Sequence, residues 1–222
     1  MLLRLRPTTS TRKGAAVRNQ TIGQFLIALA ARVPAPGGGA TAALHAAQAA
    51  ALVAMVARYS DGPKYVEHAG AIGRIRDTAD ELRETALTLA EDDAAAFTAV
   101  TEAYRLPKTG AAEAATRSAA IATALLAAAR PPAFVIGVAA RVLDLTEELL
   151  PIGNPNVISD VAAAAEAARA AATTARVNVE INLTGVEDAQ ARSELLAAAG
   201  SVGGLCDRAD KVTGEVRAGL AS

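Results

Sequence analysis

AIGRIRDTADELRETALTLAEDDAAAFTAV, residues 71–100, decides the fold of this chain. Ile72, Ile75, Ala79, Leu82, Ala86 and Leu89 recur in alternating steps of three and four, the spacing of a helix packed along one seam against other helices. The pattern predicts a long helix from about Lys64 to Arg105. The same steps then land on Asp93 before returning to Ala96 and Val100, so a carboxylate falls where an apolar side chain belongs, while Glu91 and Asp92 point elsewhere and read as solvated. An unpartnered buried carboxylate costs several kcal/mol in round terms (~3–5). Asp93 must therefore meet a neighbouring hydroxyl or lysine, hold a proton, or line a cavity.

Working outward, every neighbouring segment reads as helix. LPKTG, residues 106–110, ends the long helix, and an alanine-rich helix follows over roughly 110–129. Pro131 and Pro132 are expected to open the next helix, which runs to Leu150, because proline suits a first turn. PIGNPN, 151–156, is a loop, and 157–219 is helical with a joint near Gly185. Towards the N-terminus, 40–60 is a nearly uniform Ala/Val/Leu helix of the kind normally buried on most sides. VPAPGGG, 33–39, separates it from a short amphipathic helix over Thr21–Arg32 that carries Ile22, Phe25, Leu26 and Leu29 on one face. VNVEINL, 177–183, alternates at period two like a strand, yet nothing else in the chain offers it a partner, so it too is assigned to helix. The expected fold class is all-α, a bundle of long alanine-rich helices.

The composition fits this reading. Of 222 residues 52 % are hydrophobic and 3 % aromatic, so the apolar fraction is mostly alanine, the best helix former and the residue that permits close helix contacts. A net charge of −1 gives no global attraction to nucleic acid or to a membrane surface. Charged residues are expected to interrupt every apolar run before it can span a bilayer. The single cysteine, Cys206, cannot form an internal disulfide and suits a reducing cytosol, so a cytoplasmic location is expected. Residues 1–19 are basic and free of acids and read as a flexible extension; 20–222 is then one helical domain.

Several clusters can carry chemistry. Gly37, Gly38 and Gly39 precede a helix whose first N–H groups are free for an anion or carbonyl, although a tight link between two helices needs glycines as well. Asn154, Asn156, Ser159 and Asp160 cluster at a helix start, as a cap or as part of a site. Asn178 and Asn182 share a helical face, as a polar cavity wall or an interhelical contact. His45 and His68 stand apart from any carboxylate or thiol at metal-ligand spacing, so no metal site is expected.

In order, FLIALAARVPAPGGGATAAL, ALVAMV, KY at 64–65, EDDAAAF at 91–97, YRLPK at 104–108, GNPNVISD at 153–160 and NVEINL at 178–183 resemble the cyclodeaminase/cyclohydrolase family. That family includes the cyclodeaminase half of formiminotransferase-cyclodeaminase and stand-alone methenyltetrahydrofolate cyclohydrolases. The resemblance implies a dimer-forming helical enzyme acting on a one-carbon unit carried by tetrahydrofolate, by hydrolysing 5,10-methenyltetrahydrofolate or by cyclising 5-formiminotetrahydrofolate with loss of ammonia. It implies no cofactor beyond tetrahydrofolate as carrier, and a homodimer with its sites at or near the subunit contact. Carried onto this chain, the catalytic candidates are Asp93 and Lys108. The substrate-binding candidates are Gly37, Gly38, Gly39, Thr41, Asn154, Asn156, Ser159, Asp160, Asn178 and Asn182. Two departures stand out: Ala40 then Thr41 where the family has Ser after the glycines, and Glu91 for the first acid of its D-x-D pair. The family's transferase segment is not matched, which tilts the expectation towards cyclohydrolase. The Ala40 departure leaves a second reading, a non-catalytic folate-binding or scaffold protein on the same fold.

Overall fold

A computed structural model describes residues 16–221 of the chain. Seven α-helices follow one another among them, with no strand: α1 (Ile22–Leu29), α2 (Gly38–Tyr59), α3 (Ala69–Arg105), α4 (Ala111–Leu149), α5 (Ile158–Asn182), α6 (Ala189–Gly200) and α7 (Val202–Leu220). VNVEINL closes α5, its last residue passing into a short 3-10 turn, as an unpaired strand-like segment must. A second joint, at Ser201 between α6 and α7, was not visible in the sequence.

α2 lies at the centre, packed against α3, α4 and α5. Its inward positions are almost all alanine: Ala40, Ala42, Ala43, Ala46, Ala49 and Ala50 are fully buried, and Ala164, Ala165, Ala168, Ala171, Ala172 and Ala175 of α5 likewise. Methyl-sized side chains on both faces let helix axes approach closely, and dispersion contacts take the place of large apolar anchors. Ile75 of α3 and Val142, Leu143 and Leu149 of α4 supply the bulkier part of this core. The neighbours alternate in direction: Arg58 near the end of α2 pairs with Asp80 of α3, and Arg74 of α3 with Glu148 of α4.

Four expectations need correction. Pro131 and Pro132 do not open a helix; they sit inside α4, which runs unbroken through both. Both rings are buried, and packing of the flanking apolar turns outweighs the two missing N–H donors. Residues 64–68 form a 3-10 turn ahead of α3 rather than its first turn. Glu91 is engaged rather than solvated: Val17–Asn19 form a 3-10 turn beside α3, and Arg18 donates to Glu91 Oε1 (2.9 Å) and Thr88 Oγ1 (2.9 Å). Of the extension expected over 1–19, residues 1–15 lie outside the described residues. Finally, α2 and α4 are each long and apolar enough to cross a membrane, contrary to expectation; in α2 most of that apolar length is turned into the bundle core.

Beyond the main core, α3 and α4 continue as a helical hairpin. Its own small cluster, Val100 and Ala103 against Ala124 and Ala128, is separate from the main one. This arm overhangs the place where α2 starts and α5 ends.

Candidate functional site

A cavity of about 540 Å³ opens under that arm. Its floor is the start of α2, with Gly37, Gly38 and Gly39; one wall is the face of α3 carrying Asp93, Phe97, Val100, Thr101 and Tyr104. Leu125 and Ala128 of α4 form a second wall, and Asn178, Ile181 and Asn182 of α5 the third.

Asp93 owes its place to a missing side chain. A Cβ on Gly39 would overlap the Asp93 carboxylate, so only glycine there lets α3 bring that group onto the first turn of α2. The Ala40 backbone N–H, one of the helix donors without an intrahelical acceptor, bonds to the carboxylate. Burial pushes the Asp93 pKa up to about 6, and the Ala40 N–H holds the rise in check by favouring the charged form. The carboxyl is therefore mostly ionised at neutral pH yet close enough to titration to take and return a proton. No lysine, arginine or histidine lines the cavity, so nothing among its walls neutralises it.

The two amides of α5 have a fixed orientation. Asn178 Nδ2 donates to Thr174 O (2.8 Å) and Asn182 Nδ2 to Asn178 O (2.8 Å). Only the nitrogen can serve a carbonyl, so both side-chain oxygens are left as acceptors on two residues that line the cavity. Asn178 also packs on Gly38, where a Cβ would come within 3.1 Å of its Nδ2. Asp93, Asn178 and Asn182 thus make a wall of acceptors. It suits a ligand that brings positive charge and N–H donors.

The structure brings together Gly37, Gly38, Gly39, Asp93, Asn178 and Asn182, and it places the other candidates elsewhere. Thr41 turns its hydroxyl back to Gly37 O (3.0 Å) and faces a neighbouring cavity of about 340 Å³ beside His45. Lys108 is exposed in the α3–α4 turn and lines no part of the site. Asn154, Asn156, Ser159 and Asp160 sit at the opposite end of the bundle, since α5 runs antiparallel to α2, about 30 Å away along a helix of this length. There the capping reading holds for Asn154. Its backbone N–H donates to Ser60 Oγ (2.8 Å), its Nδ2 donates to Tyr59 O (2.7 Å), and its Oδ1 accepts the Asn156 N–H (3.0 Å).

Sequence reasoning passed over Phe97, Thr101 and Tyr104. The signal was available: counted from Asp93 they fall at i+4, i+8 and i+11, one helical stripe. Leu125 and Ala128 had no such signal, because they reach the cavity only through the fold-back of α4. Among the described residues no three acidic, histidine or cysteine side chains converge as metal ligands do.

Comparison with known proteins agrees with this architecture. The family model described as formiminotransferase-cyclodeaminase matches residues 21–201. Relatives include a methenyltetrahydrofolate cyclohydrolase of Methylorubrum extorquens, 41 % identical over 77 % of this chain and 82 % of that protein. The formimidoyltransferase-cyclodeaminase of Mus musculus is 33 % identical over 74 % of this chain, which spans 30 % of the mouse protein. The crystal structure of formiminotetrahydrofolate cyclodeaminase from Thermotoga maritima superposes with a TM-score of 0.77 at 31 % identity, covering 90 % of this chain and 98 % of that one. An acid-bearing cavity built on a glycine turn, in a helical bundle with these relatives, leads to one assignment: the chain belongs to the formiminotransferase-cyclodeaminase family.

Proposed function

We propose that this protein acts on a tetrahydrofolate-bound one-carbon unit, as a 5,10-methenyltetrahydrofolate cyclohydrolase or a 5-formiminotetrahydrofolate cyclodeaminase, with Asp93 as general acid/base. The observation that carries the proposal is the Asp93 carboxyl, with a pKa of about 6, in a cavity whose walls hold no cation. The substrate of hydrolysis is a cationic amidinium, and an unneutralised carboxylate beside apolar walls favours it.

In the hydrolytic direction Asp93 accepts a proton from water as its oxygen bonds to the methenyl carbon. The tetrahedral carbon then collapses: the new hydroxyl loses its proton to become the formyl carbonyl, the carbon–N5 bond breaks, and Asp93 returns its proton to N5. The products are 10-formyltetrahydrofolate and one proton. In the cyclodeaminase direction N10 attacks the protonated formimino carbon, Asp93 takes the N10 proton and passes it to the amino group on the tetrahedral carbon, and the carbon–nitrogen bond breaks to release ammonia and leave the methenyl cation. Neither direction changes the oxidation state of the carbon, so tetrahydrofolate as carrier suffices. The Asn178 and Asn182 oxygens accept from the N–H groups of the pterin, and Gly37–Gly39 let it approach the α2 backbone.

The Ala40 departure leaves this machinery intact, because residue 40 contributes its backbone N–H and its methyl is fully buried. Cyclohydrolase is favoured by likeness to the Methylorubrum enzyme, which this chain covers over most of its length. A cytoplasmic homodimer completes the reading: the Asn156–Asp160 end of one copy can join an Asp93 cavity only by coming from a second. Incubation with 5,10-methenyltetrahydrofolate and, separately, with 5-formiminotetrahydrofolate, following methenyl absorbance, tests the proposal. Decay accelerated by the protein identifies the cyclohydrolase, growth with ammonia release the cyclodeaminase, and no change in either overturns both.

A further inference from the structure

Resting on that reading, we infer that Arg117, held on the ring of Tyr104, itself a lining residue of the Asp93 cavity, binds the anionic carboxylate tail of the folate and thereby fixes which way the substrate lies.

Arg117 comes from the first third of α4 and crosses to the end of α3. Its Nε and Nη2 donate to Tyr104 O (3.3 and 3.1 Å), and its guanidinium lies 5.5 Å from the centre of the Tyr104 ring. These contacts fix the group without neutralising it. No carboxylate pairs with it among the described residues, where most arginines have one. Arg105 and Lys108 on the same corner are also without an acidic partner there. Arg117 is half-buried, whereas those two are exposed, so Arg117 is the preorganised cation of this corner, where Glu113 is engaged by Thr109.

Along the α3 stripe the chemistry changes in order: the acid Asp93 first, then Phe97, Val100 and Thr101, then Tyr104 with the guanidinium on it. Eleven residues of helix separate Asp93 from Tyr104, a rise of about 16 Å. A reduced folate bears the same sequence of properties: a one-carbon amidinium, an aromatic aminobenzoyl segment, and a dicarboxylate tail. Standard bond lengths put the tail carboxylates on the order of 10 Å or more from the one-carbon unit, and an arginine side chain closes the remaining distance. In the reverse orientation the tail would meet Asp93 and the cation would meet Arg117, two like-charge contacts. A guanidinium receives a carboxylate through paired N–H groups, and Arg117 still has donors left for one.

Steady-state kinetics with 5,10-methenyltetrahydrofolate and with 5,10-methenyltetrahydropteroate, which lacks the glutamate, tests the inference. Arg117→Ala should raise KM about tenfold for the first substrate only, leaving KM for the second and both kcat values within about twofold. Arg117→Lys, which keeps the charge, should recover part of the loss. An equal KM change for both substrates, or none for either, overturns the inference, since a merely structural role at the end of α3 is blind to the tail. Should the wild type turn over neither substrate, the cyclohydrolase form of the proposed function has failed, and calorimetry with p-aminobenzoylglutamate decides this inference alone. Binding weakened about tenfold in Arg117→Ala supports it, and equal binding to both proteins, or none to the wild type, overturns it.

Discussion

At the scale of single residues the protein turns on a carboxyl placed against the grain of its helix. Asp93 was legible in the sequence because it breaks an apolar seam, and the structure gives the break its meaning: the seam ends at a cavity. Folding raises the Asp93 pKa from 3.8 to about 6. The folded state thus holds the proton more tightly, and this contribution favours folding fully below about pH 4 and is lost as pH rises through 6. Asp93→Asn should therefore gain about 1–3 kcal/mol of stability at pH 7 relative to wild type and little at pH 4, read from urea unfolding at the two pH values. The same variant should lose about 10²–10⁴ in turnover, and wild-type kcat/KM should fall about tenfold per unit below pH 6. Gly39 was legible only as part of a turn; that its missing side chain makes room for a carboxylate needed the fold. In Gly39→Ala, melting by circular dichroism should stay close to wild type, because the Asp93 side chain can swing aside. Activity should drop at least about tenfold as the carboxyl loses the Ala40 N–H and its position.

Among the helices, periodicity found α3, and composition found α2 and α5. A run of alanine specifies helix by propensity and close contact by size. It follows that the α2–α5 contact tolerates little added volume: Ala168→Leu should cost about 1–3 kcal/mol, measured by thermal or chemical unfolding. α4 was misread as two helices because proline signals a helix start when judged locally, whereas here buried rings and flanking core contacts carry the helix through. VNVEINL shows the same override in the other direction, a strand-like alternation held helical because Val179 and Leu183 face the core. Local propensity is a weak prior, and packing decides both cases.

For the molecule as a whole, the candidate site residues divide between two ends of the bundle, with the Asp93 cavity at one and Asn154 to Asp160 at the other. No reading of a linear sequence shows that division, because the antiparallel course of α2 and α5 creates it. In the proposed homodimer one copy's far end completes the other's cavity. Asp160→Ala and Asp93→Asn proteins, each inactive alone, should then regain roughly a quarter of wild-type activity when mixed and allowed to exchange subunits, because half of the mixed dimers' sites are intact. Absence of recovery would assign the whole site to one chain. The separate cluster of Val100, Ala103, Ala124 and Ala128 has a consequence of its own. A hairpin resting on so small a core opens independently of the rest, so deuterium should enter the amides of residues 111–125 far sooner than those of 135–149, which exchange only on global unfolding. Saturating folate should slow that uptake selectively, a labelling pattern that reports occupancy even in variants that turn nothing over.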